Sequence, residues 1–211
     1  MWLLLVVYHA LTAANYIDCS DPDQCDPDIV CLPNEDCFVS CTAPNACLDR
    51  NITCPVAGDC VISCIGGAAC RGSVINATAS SSGHFNLTCS DSTDHCKEIK
   101  VYGSTIESNT DQFQIHCNGN TRACARAEVT CPVTGRCDIS CGDGNGQEGC
   151  RWMSVAGPLE GELSIHCDGP MSCFDAVFDG TESDILNITG CTEFEGCFGT
   201  FCALAMYFKD H

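Results

Sequence analysis

The sequence predicts an all-β fold, a disulfide-rich parallel β-helix (β-solenoid) with about seven coils of 23–28 residues. Three observations carry this prediction. Short segments ending in Cys recur at near-constant spacing, apolar and polar residues alternate within them, and 23 of the 211 residues are cysteine. Helical periodicity is absent over any useful length, while Gly, Asn, Asp and Ser crowd the intervening stretches, so a helical solenoid is not expected.

The recurring segments are FVSC, VISC, NLTC, QIHC, DISC, SIHC and NITGC, ending at Cys41, Cys64, Cys89, Cys117, Cys141, Cys167 and Cys191. Their spacings of 23, 25, 28, 24, 26 and 24 residues mark units that bury an apolar face only by stacking on their neighbours. Phe85, Leu87 and Cys89, then Phe113, Ile115 and Cys117, then Leu163, Ile165 and Cys167 occupy every second position and are expected to point inward. A second strand follows the next cysteine in CRGSVINA, CKEIKVYG, CRWMSVAG and CFDAVFDG. There Ile75, Val101, Val155 and Phe178 share one register, and Gly103, Gly157 and Gly180 end it. A third element is expected in some coils, since CLPNEDCFVSC, CPVAGDCVISC and CPVTGRCDISC repeat one motif from Cys31, Cys54 and Cys131.

Neighbouring cysteines bracket short loops. The expected pairs are Cys19 with Cys25, Cys31 with Cys37, Cys41 with Cys47, Cys54 with Cys60, Cys64 with Cys70 and Cys89 with Cys96. The series continues through Cys117 with Cys124, Cys131 with Cys137, Cys141 with Cys150, Cys167 with Cys173 and Cys191 with Cys197. A pairing such as Cys37 with Cys41 fails on reach, because four strand positions span about 13 Å and a bridge tolerates roughly 7 Å between Cα atoms. Links between equivalent cysteines of stacked coils, about 4.8 Å apart, stay open. Each small loop constrains the unfolded chain by about 2 kcal/mol in the loop-entropy picture, so the bridges substitute for bulky apolar volume. Cys202 is left over, either as a buried thiol or as a bond to another chain or to residues beyond His211.

A cysteine content this high points to an oxidising compartment, hence to a secreted protein or the extracellular face of the cell surface. No CxxC pair occurs, so zinc is not expected and no other metal or cofactor is assigned. Residues 1–14, MWLLLVVYHALTAA, read as a signal peptide cleaved after Ala14; their length suits a signal core and falls short of a bilayer. The missing basic start leaves a short anchor or an incomplete gene model as the alternative. Residues 15–30 read as an acidic N-terminal segment or cap, 31–200 as the β-solenoid domain, and 201–211 as the start of a further coil or a truncated end. Sequons at Asn51, Asn76, Asn86 and Asn187 suit a secretory glycoprotein. With 28 acidic residues against 9 Lys and Arg, the net charge of −19 repels phosphate backbones, so no nucleic acid is expected as a partner and basic partners or cations are favoured.

Coils of this length, with short parallel strands and inward Val, Ile, Leu and Phe columns, make residues 31–200 resemble the right-handed parallel β-helix proteins, the pectin-lyase-like superfamily. The resemblance implies stacked parallel coils. It is architectural only: no catalytic motif of those enzymes is placed on this chain. The cysteine-rich coils also look like insect antifreeze solenoids, but the regular Thr-x-Thr rows of that group are missing.

If Ile115 and Cys117 face inward, the residues beside them form outer columns. One is Ser40, Ser63, Thr88, His116, Ser140, His166 and Thr189; its neighbour is Phe38, Val61, Asn86, Gln114, Asp138 and Ser164, with Asn187 beside it. His116 and His166 are expected two coils, about 9.6 Å, apart, too far to share an ion. Neither has an obvious Ser or Asp partner in sequence register. Arg71, Lys97 and Arg151 each follow the second cysteine of a pair and form a partial basic ladder. Asp21, Asp23, Asp26 and Asp28, and separately Asp143, Asn145 and Glu148, offer oxygen ligands, but neither group has EF-hand spacing; Ser154 stands where the last Glu belongs. The functional expectation is a secreted or cell-surface non-enzymatic structural or adhesion scaffold carrying glycans, with no catalytic residues. Its partners would be an extracellular protein or glycan, with self-association through the uncapped C-terminal coil or Cys202. The alternatives are a carbohydrate-active β-helix enzyme, a lyase or hydrolase, and a carbohydrate- or calcium-binding module.

Overall fold

The computed structural model describes residues 14–190 apart from 22–24, 78–82, 91–93, 105–111, 120, 143–147, 170 and 182. Over these residues the chain is an all-β parallel solenoid. One sheet stacks β1 (Ala14–Asp18), β3 (Asp36–Cys41), β5 (Cys60–Cys64), β7 (Phe85–Ser90), β9 (Phe113–Asn118), β11 (Thr134–Cys141), β13 (Glu160–Cys167) and β15 (Ile185–Thr189) in that order. The other stacks β2 (Asp28–Val30), β4 (Asn51–Thr53), β6 (Val74–Asn76), β8 (Lys100–Tyr102), β10 (Glu128–Thr130), β12 (Ser154–Ala156) and β14 (Val177–Asp179). Every pairing is parallel, so each coil lays one long and one short strand onto the coil before it. The stack is close to the seven coils expected, and β1 and β2 already belong to it, ahead of residue 31.

Alternation decides which face is dry. Along β7 and β9 burial switches at every residue, with Phe85, Leu87, Cys89, Phe113, Ile115 and Cys117 inside. Register is shared across the stack, because a slip of one residue would turn the apolar set outward. Cys41, Cys64, Cys89, Cys117, Cys141 and Cys167 stand side by side, and so do Ile52, Ile75, Val101, Val129, Val155 and Phe178 in the short sheet. Phe85 and Phe113 stack in this interior with ring centroids 4.6 Å apart. The remaining core is Ile, Val, Leu, Ala and sulfur.

Both corners of the solenoid are stapled. At the corner after each long strand, Cys41–Cys47, Cys64–Cys70, Cys89–Cys96, Cys117–Cys124, Cys141–Cys150 and Cys167–Cys173 close the turn, and Cys19–Cys25 does so in the first coil. These turns hydrogen-bond from coil to coil as strands do. Cys70 donates its N–H to Ala46 O at 2.9 Å, Cys96 to Ala69 O at 3.0 Å and Cys150 to Ser172 O at 2.6 Å. The residue before the second cysteine is small and buried in most coils, as Ala46, Ala69, Ala123 and Ser172, whereas His95 fills that place in one. Its Nδ1–H donates to Gly66 O at 2.7 Å, which settles a polar ring in a fully buried position.

At the opposite corner, Cys31–Cys37, Cys54–Cys60 and Cys131–Cys137 join the end of a short strand to the start of the next long one. The repeated motif that begins at Cys31, Cys54 and Cys131 is therefore this corner; among the described residues it forms no third sheet. Coils without that bridge fill the same space differently. In register with Cys37, Cys60 and Cys137 stand Phe85, Phe113, Leu163 and Leu186, and the residue after the short strand is then Ala77, Gly103, Gly157 or Gly180. A large side chain opposite Gly or Ala thus replaces a cystine. The exchange is plainest between CPVTGRC at 131–137 and GPLEGEL at 157–163, which keep Pro and Gly while the packing pair changes together with Val133 to Leu159 and two polar positions. The shared glycine is forced. Gly161 has φ +130°, and a Cβ there would lie 2.0 Å from Gly135 O in the coil before.

Cys191 and Cys197, the last expected pair, and Cys202 lie outside the described residues. No helix of the described residues is long and apolar enough to cross a membrane.

Candidate functional site

Stacking in register turns every outward residue into part of a column, and the columns of the long sheet hold most of the chemistry. His116 and His166 sit in one column with Ser140 between them, since Thr88, His116, Ser140, His166 and Thr189 are successive partners. The expectation that neither histidine has a Ser or Asp partner is overturned. His116 Nδ1 shares a hydrogen bond with Ser140 Oγ at 2.9 Å, and His166 Nδ1 one with Thr189 Oγ1 at 2.7 Å. His166 Nε2 also stands 3.9 Å from Asp168 Oδ2. The alignment of the repeats contained the signal, because Ser140 and Thr189 each follow a histidine by one coil. A partner one coil away is invisible to a search along the chain.

Ser140 and His116 have the geometry of a nucleophile and its base, but they lie half-buried on the outer face of a sheet. Catalysis of acyl transfer also needs donors aimed at the developing oxyanion. The strand N–H groups beside Ser140 are committed to the parallel ladder with β9 and β13. The pair is a rung between coils. Other outward polar groups do the same: Asn86 Nδ2 donates to Gln114 Oε1 at 3.4 Å, while Asp59 N–H donates to Asp36 Oδ1 and His84 N–H to Asp59 Oδ1, both at 2.9 Å. Arg136 lies 2.8 Å from Asp138 and 4.0 Å from Glu162, and the hydrogen bond to Asp138 leads the effects that raise its already high pKa.

The basic ladder is confined to the cystine turns and is not continuous. Ala125 stands between Lys97 and Arg151. Arg71 pairs with Glu98 at 3.9 Å, a carboxylate shared with Arg126 at 3.5 Å; Arg122 pairs with Asp94 at 3.2 Å and Arg151 with Glu148 at 2.5 Å. Arg151 and Arg126 also lie against the ring of Trp152, 3.8 and 5.1 Å from its centroid, and Arg151 is 5.0 Å from that of Phe174. Arg151 and Trp152 are neighbours in sequence, and stacking of the turns brings Arg126 and Phe174 to them. Arg71, Arg122, Arg126 and Arg151 are held by neighbouring acids and rings, so among the described residues this ladder forms no row of unpaired guanidinium groups.

The sequons occupy outward strand positions. Asn86 and Asn187 share a column four strands apart, and Thr88 Oγ1 donates to Asn86 Oδ1 at 3.2 Å. Asn51 lies on the short sheet with its Nδ2 donating to Asp28 Oδ1 at 2.8 Å; Asn76 stands half-buried on β6, and its sequon Thr78 is outside the described residues. Only part of each oxygen-rich group lies among the described residues. Asp23, Asp143 and Asn145 are outside the described residues, Asp28 bonds to Asn51, and Glu148 is taken by Arg151. Sulfurs of adjacent coils approach within 4.8 Å in the groups Cys19, Cys41, Cys47 and Cys41, Cys64, Cys70 and Cys64, Cys89, Cys96. All of them are bound as cystine, so none is a thiolate ligand.

Fold and surface together define the class: a cystine-laddered parallel β-solenoid. Comparison with known proteins finds no matching family model, no matching curated protein and no matching solved structure.

Proposed function

We propose that this chain is a non-enzymatic extracellular scaffold, a glycosylated β-solenoid that holds outward columns of side chains at fixed spacing for adhesion or assembly. One observation carries the reading: His116 with Ser140, His166 with Thr189, and the carboxylates of Asp36 and Asp59 are bonded to the equivalent residue of the neighbouring coil, so this polar chemistry is spent on stacking. Secretion through a leader at residues 1–14, glycans at Asn51, Asn76, Asn86 and Asn187, and architectural kinship with pectin-lyase-like β-helices belong to the same proposal. Ten described cystines in a chain of 211 residues support an oxidising destination.

The test is enzymatic. Purified oxidised protein is incubated with polygalacturonate and with neutral polysaccharides, and chain cleavage is followed by viscosity and reducing ends. No turnover is expected. Cleavage abolished by replacing a single acidic residue would overturn the reading in favour of a carbohydrate-active enzyme.

A further inference from the structure

The outward columns are not uniform along the solenoid. In the column that carries Asn86, Gln114, Asp138, Ser164 and Asn187, the first three positions are Tyr16, Phe38 and Val61, side by side on β1, β3 and β5. Tyr16 is 66% exposed, and Phe38 and Val61 are half-buried although they point out of the sheet. A stripe of two aromatic rings and a valine therefore crosses three strands, about 9.6 Å from end to end, in a column that becomes polar from Asn86 onward.

Acids border it. Two positions away along the strands stand Asp18 on one side and Asp36 on the other, and Asp59 takes the place of Asp36 in the next coil. Residues 14–60 contain nine Asp and Glu against the single base Arg50. The field over these coils is negative, whereas the turns of the middle coils hold most of the Lys and Arg. Aromatic faces attract cations through their quadrupole, and flanking carboxylates add to that attraction. An anionic glycan is repelled here, and a neutral one, although its hydroxyls can donate to these carboxylates, carries no charge for the negative field to select.

We infer that the Tyr16–Phe38–Val61 stripe docks a basic segment of another protein, with apolar side chains on the stripe and Lys or Arg over its acidic borders. This deepens the scaffold reading by naming the chemistry of its partner and rests on that reading. Apolar contact supplies the affinity, and the charges supply the choice of partner and the approach rate.

The experiment uses the full oxidised chain and a short synthetic peptide alternating lysine and leucine, with binding read by fluorescence anisotropy at low and high salt. Two comparison peptides replace leucine by serine, or lysine by glutamate. Expected are saturable binding of the lysine–leucine peptide, at least tenfold weaker binding of the lysine–serine peptide, none of the glutamate–leucine peptide, and weakening with salt. Phe38→Thr with Val61→Thr puts β-branched residues, which suit strands, on the outer face; it should weaken binding at least tenfold while the far-UV spectrum stays unchanged. Phe38→Thr alone serves if the double variant misfolds. Equal binding by wild type and variant would overturn the inference. So would equal binding of the serine peptide, which shows diffuse charge attraction, or of the glutamate peptide, which shows an indiscriminate apolar patch. Polysaccharide cleavage is measured separately, so loss of the docking surface and loss of the scaffold reading are told apart.

Discussion

The cystine at 131–137 and the Gly157–Leu163 pair are interchangeable ways of filling one corner, and this can be measured by converting the first into the second. Cys131→Gly with Cys137→Leu gives that corner the packing pair found one coil later, behind the same proline. Cystine and the Gly–Leu pair have equal numbers of side-chain heavy atoms, so the corner stays filled. The change removes one staple of sequence separation 6, which costs about 2 kcal/mol through loop entropy. Replacing both cysteines by alanine costs that same entropy plus the burial of two sulfurs, both residues being at most 4% exposed. At about 1 kcal/mol for each methyl-sized group, including the void it leaves, the alanine variant loses about 4 kcal/mol. Urea denaturation of both variants against the wild type, with the other disulfides intact, reads the difference. Gly–Leu should fall roughly midway between wild type and Ala–Ala in unfolding free energy. If Gly–Leu is as unstable as Ala–Ala, the corner is not a packing exchange and the cystine acts by geometry alone.

Gly161→Ala should cost more than about 2 kcal/mol or block secretion, because the backbone is left-handed there and the new methyl meets Gly135 O; thermal unfolding and secreted yield check it. The Lys100–Glu128 pair, 2.9 Å apart, raises the Lys100 pKa chiefly through their hydrogen bond. Its contribution is therefore fully present below the unfolded lysine value of about 10.4 and fades as pH climbs through the folded one. Denaturation midpoints from pH 9 to 12 should show a decline that Lys100→Met removes. Complete reduction should abolish the cooperative fold, since ten staples at about 2 kcal/mol each exceed the whole stability of an ordinary domain. Retention of the far-UV strand signal after reduction and alkylation would show that the apolar columns suffice.

The repeat was legible because a solenoid writes its core at fixed intervals. Cys41 to Cys167 and Ile75 to Phe178 could be aligned from the sequence, and they stand in those columns. The corner was only half legible. CPVTGRC stands out by its cysteines, whereas the Gly157–Leu163 pair of GPLEGEL fills the same corner without a conspicuous residue. Volume and the Pro and Gly positions were the shared signal.

The outward chemistry was harder to read for a different reason. Two residues that touch across coils are separated by a variable insertion, 24 positions from His116 to Ser140 and 23 from His166 to Thr189, so no fixed motif can express the contact. Parallel stacking also gives each side chain its nearest neighbour about 4.8 Å away, near enough for a ladder of pairs and indifferent to whether the pair does chemistry. Distinguishing a site from a rung therefore requires a break in the column. The described long sheet has such a break where Tyr16, Phe38 and Val61 give way to Asn86: in that column the residues stop being apolar. A change of composition along a column, against the background of the repeat, is what a binding surface on a solenoid has to look like. Identical rungs offer a partner no preferred register, whereas the break supplies one.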